Sequence, residues 1–214
     1  SGTSVSLSSD GSTVAIGAIG NNNNKGHVRV YKWVSGAWIQ QGADIDGEAA
    51  NDESGFSVSL SSDGSVVAIG ARYNNDNGYL SGHVRVYKWV SGAWIQQGSD
   101  IAGEVGNDLS GFSVSLSSDG STVAIGAPYN GSFSGHVRVY KWVSGAWTKQ
   151  GDDINGEAAG DNSGTSVSLS SDGSTVAIGA PFNDGISLTD VGHVRVYKLV
   201  SGVWTQQGAD IDGE

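Results

Sequence analysis

SVSLSSDGS stands at Ser4–Ser12 and returns at Ser57–Ser65, Ser113–Ser121 and Ser166–Ser174, followed each time by VAIGA and then by GHVRVYK. Its hydrophobic period is two: Val5 and Leu7 alternate with Ser4, Ser6 and Ser8, and Val14 and Ile16 then alternate with Thr13, Ala15 and Gly17. That is the period of a strand. Ser8-Ser9-Asp10-Gly11 joins the two runs with an Asp able to bond the backbone and a Gly that accepts positive φ, the signal of a tight hairpin. A third strand is predicted over His27–Val34, with Val28 and Val30 on one face and His27, Arg29, Tyr31 and Trp33 on the other. Ser35-Gly36 then turns the chain into a fourth strand from about Trp38 to Ile45.

Four strands in about 53 residues with no helical period match a propeller blade, whose two faces both pack on neighbours. The expected fold is therefore all-β: a β-propeller of four-stranded antiparallel blades, four in this chain. The blades are expected at about 1–50, 54–106, 110–159 and 163–214. A β-solenoid is the main rival, but its repeats are usually shorter. Ala15, Gly17 and Ala18, with Ala68, Gly70 and Ala71, are expected to leave room for bulky aromatics of an adjacent blade. His27, His83, His136 and His193 recur at intervals of 56, 53 and 57 residues. The variation lies between VAIGA and GHVRVYK, in residues 19–25, 72–81, 128–134 and 181–191, as expected of surface loops. Closure is left with three outcomes: a compact four-bladed ring, a homodimer completing an eight-bladed ring, or a slice of a longer array. An open arc would expose apolar blade faces that favour association.

Seven Trp, seven Tyr and 37% hydrophobic residues in a chain of 214 are enough for a sizeable core. No run approaches the roughly 18 apolar residues of a membrane span. A net charge of −11 sets nucleic acid and anionic membranes aside as partners, since both require basic patches. Cysteine is absent, which removes disulfides and thiol chemistry but leaves the compartment open. The start in mid-repeat at Ser1-Gly2 reads as a processed chain or an excised fragment.

Ser54-Gly55-Phe56-Ser57-Val58 through Val67-Ala68-Ile69-Gly70-Ala71, and above all Gly111-Phe112 with Gly126-Ala127-Pro128, resemble FG-GAP repeats, the blades of integrin α-subunit propellers and of many bacterial surface proteins. The resemblance covers all four units, of which only the third carries both motifs in full. It implies a secreted or cell-surface propeller used for adhesion or recognition, and in some members a calcium loop in the first hairpin. Calcium takes about six to eight oxygen ligands, whereas Ser61-Ser62-Asp63-Gly64-Ser65 offers one carboxylate. The family's calcium sites are therefore not carried over to Asp10, Asp63, Asp119 or Asp172.

Acidic residues recur instead in the links between blades: Asp44, Glu48 and Asp52; Asp100, Glu104 and Asp108; Asp153, Glu157 and Asp161; then Asp210 and Glu214. Three carboxylates spaced by four are weak candidates for a cation bridging adjacent blades, with calcium the ion considered and no cofactor firmly implied. The competing reading is that they cap turns, as Asp52 and Asp108 before Ser-Gly are placed to do, or pair with the Arg29 series. One histidine per blade leaves the four mutually distant, which argues against zinc. Arg29, Arg85, Arg138 and Arg195 read as an interblade ladder ahead of a ligand-binding row. Trp33, Trp89 and Trp142, with Trp38, Trp94, Trp147 and Trp204, read as core aromatics ahead of sugar platforms.

The variable loops are the stronger recognition candidates, because Asn, Gly, Ser and aromatic residues suit adaptable polar binding. They contribute Asn22 and Asn24; Tyr73, Asn75, Asp76 and Tyr79; Tyr129, Asn130 and Phe133; and Phe182, Asn183, Asp184 and Asp190. No nucleophile elbow or paired histidine accompanies the abundant serines, and identical units do not build a unique catalytic centre. The expectation is a noncatalytic extracellular scaffold or adhesion module with a protein or glycan ligand. A glycan-binding lectin is the alternative, and a glycosidase-like enzyme the third.

Overall fold

A computed structural model describes residues 1–184 and 190–213. Residues 185–189 of the fourth variable loop and Glu214 of the acidic series lie outside that description. Four antiparallel sheets follow one another along the chain, one per repeat. In the first, Val5–Leu7, Thr13–Ala18, His27–Val34 and Ala37–Gln40 pair in order, and the short strand Ile45–Asp46 also pairs with His27–Val34. The other three sheets repeat this arrangement.

The predicted fourth strand is thus two strands. Tyr31 lies opposite Gln40 and Val28 opposite Ile45, so residues 41–44 bulge out against two residues of the third strand. Gly42, at φ 72°, makes the bend, and Asp44 is carried on the bulge beside the start of the third strand. At the other end of the sheet the hairpin forms as read. The Asp10 carboxylate accepts from Ser8 Oγ at 2.7 Å, from Ser12 N at 2.9 Å and from Ser12 Oγ at 2.8 Å.

Each sheet buries one face against the opposite face of the next. Ala15, Val28, Val30 and Ile45 of the first unit meet Val58, Leu60, Val67, Ile69 and Tyr87 of the second. The two later junctions repeat the scheme, with Ile125 and Ile178 in the places of Ile69. Two-sided burial is why Val66–Ala71 and Thr122–Ala127 are buried along their whole length. The small residues have a different partner from the expected aromatics. A side chain on Gly17 would run into the backbone carbonyl of Gly55 in the next unit, which accepts a 2.8 Å bond from Ser4 Oγ. Gly70 and Gly126 stand in the same relation to Gly111 and Gly164.

Hairpin turns also connect directly: Ser9 N donates to Ser62 O, Ser62 N to Ser118 O and Ser118 N to Ser171 O, each at 2.9 Å. No equivalent bond joins the fourth turn to the first among the described residues. Val5 and Leu7 are 66% and 59% exposed, whereas Val58 and Leu60 are 9% and 7%. Val194 and Ile211 of the fourth unit are likewise exposed, although Val84 and Ile101 are buried. The compact four-bladed ring is therefore not the arrangement formed. The molecule is an open arc with two bare sheet faces.

Candidate functional site

The acidic triplets do not converge, because each member has a separate place. Asp44 receives the Arg29 guanidinium through bonds of 2.8–3.0 Å and the Gln40 amide at 2.7 Å. Asp52 is buried, accepts Ala49 N at 3.0 Å and accepts Asn74 Nδ2 at 3.1 Å. Asp108 caps Glu104 N and Val105 N and holds Asn130 Nδ2 at 2.9 Å. Asp161 caps Ala158 N and holds Asn183 Nδ2 at 3.1 Å. Asn130 and Asn183, proposed from sequence as ligand contacts, therefore anchor their loops to the preceding link. Asn75 is similarly engaged inside its loop, accepting Leu80 N at 2.8 Å.

Glu48, Glu104 and Glu157 cross instead to the following unit. There they approach His83, His136 and His193, together with Asp100, Asp153 and Asp210 from the bulge of that unit. The loop residue Asp76 joins the first of these groups. His83 Nδ1 lies 3.7 Å from Asp100, 3.8 Å from Glu48 and 3.9 Å from Asp76, and its side chain is 1% exposed. His193 Nδ1 lies 3.6 Å from Asp210 and 3.9 Å from Glu157. Neither nitrogen of His83 or His193 has a hydrogen-bond partner among the described residues. Burial pushes the His83 imidazole below its ordinary value and Arg85 adds to this, against the pull of Asp100, Asp52 and Asp76. Burial also raises the Glu48 carboxyl, with Arg85 opposing and Asp100 and Asp76 reinforcing. The histidines do stay apart from one another, as expected. What escaped the sequence is that each Glu serves the next unit, since a repeat pattern shows the same spacing whichever unit a side chain enters.

The arginines build the ladder. Arg85, Arg138 and Arg195 donate through Nη2 to Asp46 O, Ala102 O and Asn155 O of the preceding unit at 2.7, 2.9 and 2.8 Å. Trp94, Trp147 and Trp204 fasten the outer edges in the same direction, with Nε1 on Gln41 O, Gln97 O and Gln150 O at 2.7–2.9 Å. The hairpin carboxylates are already saturated by serine donors in every unit. The residues present therefore do not fit the hairpin calcium site that the family resemblance brings with it.

Two variable loops and a link make a groove of about 520 Å³. Tyr73, Leu80, Val105, Leu109, Tyr129 and Phe133 form its apolar lining. Tyr129 and Phe133 meet edge to face at 5.2 Å, and Phe112 extends the stack. Arg72 braces this region by lying 3.6 Å over the Phe56 ring and pairing with Glu53 at 2.9 Å. Of the remaining loop candidates, Tyr79 and Phe182 are exposed outside the groove lining, and Asn22 and Asn24 sit in a separate exposed turn with positive φ. Asp184 accepts Asp190 N at 3.1 Å at the edge of the residues left undescribed.

Face-to-face sheets, inner strands in succession and a groove built by rim loops define a β-propeller-type repeat protein. Residues 44–87 match the family model described as FG-GAP repeat. That stretch carries Gly55-Phe56 and Gly70-Ala71 of the second unit, although the third has the fuller motif. No curated protein matches the chain. Among solved structures, the Pseudomonas aeruginosa periplasmic gluconolactonase is 16% identical with a TM-score of 0.66, covering 100% of this chain and 58% of that one. The Kuenenia stuttgartiensis hydrazine synthase is 16% identical with a TM-score of 0.62, covering 98% and 48%. The β-propeller domain of the Trilobed protease from Pyrococcus furiosus is 12% identical with a TM-score of 0.54, covering 96% and 56%. At such identities the likeness shows the fold alone. The chain spans about half the length of the structures it matches.

Proposed function

We propose that this chain is a noncatalytic extracellular β-propeller scaffold whose rim loops bind a protein partner in adhesion or surface recognition. The observation that carries the reading is the groove between residues 72–81 and 128–134. It is apolar and aromatic, and it is built from the segments in which otherwise near-identical units differ. Interface cores favour aromatic anchors of this kind. The FG-GAP match supports the surface location. Against a catalytic role stands the lining itself: its one carboxylate, Asp108, is spent on Glu104 N, Val105 N and Asn130.

The test is a surface plasmon resonance panel of matrix and cell-surface proteins run against the chain and its Tyr129→Ser/Phe133→Ser variant. Binding lost in the variant supports the reading. Lactone or glycoside hydrolysis that is lost with Asp108→Asn would replace it with an enzyme. A glycan ligand is the second reading, favoured by Trp33 and Trp38, which stand 48% and 44% exposed as a pair 5.4 Å apart. Quenching of tryptophan fluorescence by soluble glycans separates it from the first. The two bare sheet faces further support a homodimer completing an eight-bladed ring, for which light scattering at twice the chain mass is the expected outcome.

A further inference from the structure

We propose that the junction between the first and second units is a binding site for a divalent first-row transition ion, held by His83, Glu48, Asp76 and Asp100. His83 is sealed from solvent, neither ring nitrogen has a hydrogen-bond partner among the described residues, and Nδ1 is aimed at three carboxylates 3.7–3.9 Å away. A buried polar atom without a partner is costly, and those separations are too long for an imidazole N–H bond to any of the three.

They suit a shared ion instead. Ligands about 2.0–2.2 Å from a zinc ion stand roughly 3.4 Å apart at the corners of a tetrahedron. The ligand atoms of the group already lie within 4.8 Å of one another. Glu48, 41% exposed, supplies the remaining adjustment by rotation, and Asp76, 65% exposed, does so by giving up the 3.2 Å bond its Oδ2 accepts from Asn74 Nδ2. Charge points the same way. Three carboxylates face one nearby cation, Arg85, which stands 3.7 Å from the far oxygen of Glu48 and has its Nη2 on Asp46 O. An imidazole nitrogen among carboxylate oxygens selects zinc or manganese over calcium and magnesium, which take oxygen ligands.

The chain contains its own control. Gln96 and Gln206 hold Asp100 and Asp210, but the third unit places Lys149 at that position. The Lys149 ammonium lies 2.5 Å from Asp153 and 4.0 Å from Glu104, so a covalently attached cation occupies the equivalent corner beside His136. The junction beside His193 has no such lysine and offers Glu157 and Asp210. Among the described residues it is a weaker version of the first site, with one carboxylate fewer.

The test strips the full chain with chelator, dialyses it against zinc or manganese, and measures bound metal by mass spectrometry together with the melting temperature. One ion at the first junction is expected, with a second bound more weakly beside His193 for want of the ligand that Asp76 supplies. Glu48→Gln and Asp76→Asn, at exposed positions that leave the fold intact, are expected to weaken the first site by about tenfold or more. Lys149→Gln is expected to add an ion at the third junction. Absence of stoichiometric zinc or manganese overturns the proposal. So does retention of the same ion count and affinity in the Glu48→Gln/Asp76→Asn double variant, or preference for calcium over both transition metals.

Discussion

Asp10 is exposed yet structural, since it organises a hairpin by accepting from Ser8 and Ser12, and Asp172 does the same in the fourth unit. Those donors hold both carboxyls at about 2, the Ser8 and Ser170 hydroxyls contributing most. In Asp63 and Asp119 burial is the largest single influence and opposes ionisation, yet the serine bonds together outweigh it and lower the carboxyl. The unfolded value for Asp is about 3.9. A carboxyl with a depressed folded value contributes stability that is fully present above the unfolded value and is lost as pH falls through the folded one. The urea midpoint of Asp10→Asn/Asp172→Asn should therefore lie below that of the parent at pH 6, and the gap should close as pH falls from about 4 toward about 2. A gap of constant size across that range would refute the assignment. The Ser-Asp-Gly spelling of this turn was legible in sequence, because every partner lies within two residues.

Strands meet neighbours that the local pattern does not specify. Gly126 is required by the carbonyl of Gly164 in the next unit, whereas at the equivalent Gly179 an added side chain meets only Ser166 of its own strand pair. Gly126→Ala should cost about 1–3 kcal/mol in urea unfolding, as overpacking does, and Gly179→Ala clearly less. Trp147 and Trp38 make a second pair of equivalents with unequal surroundings. Trp147→Phe removes a bond to Gln97 O and should cost about 1 kcal/mol. Trp38 is 44% exposed and its Nε1 makes no such bond among the described residues, so Trp38→Phe in this chain should be close to neutral. Along the outer strand the periodicity of residues 38–45 is continuous, and only the pairing registers reveal the bulge that delivers Asp44 and its counterparts to the histidines.

Across the molecule, stability is distributed as in a linear array, each unit leaning on its neighbours. Leu116, in a junction core, and Leu7, on a bare face, hold the same place in the repeat. Leu116→Ala should cost about 2–5 kcal/mol and Leu7→Ala about 0.5 kcal/mol or less, both read from urea midpoints. Amide exchange should be slowest in Val66–Ala71 and Thr122–Ala127, which are buried throughout, and faster in Thr175–Ala180, where every second residue is only half-buried. By itself the sequence determined the unit: strand periodicity, the Ser-Asp-Gly hairpin, the length-variable loops and the FG-GAP likeness are all carried by residues close together in the chain. Tertiary structure alone decided what each unit does to the next. It sent Glu48 to His83, turned Asn130 and Asn183 into loop anchors, gathered Tyr73, Tyr129 and Phe133 around one groove, and left the arc open. The physical reason is that local sequence governs backbone conformation, while contacts between blades depend on the angle at which whole sheets pack, and identical spacings in every repeat carry no record of which unit a side chain enters.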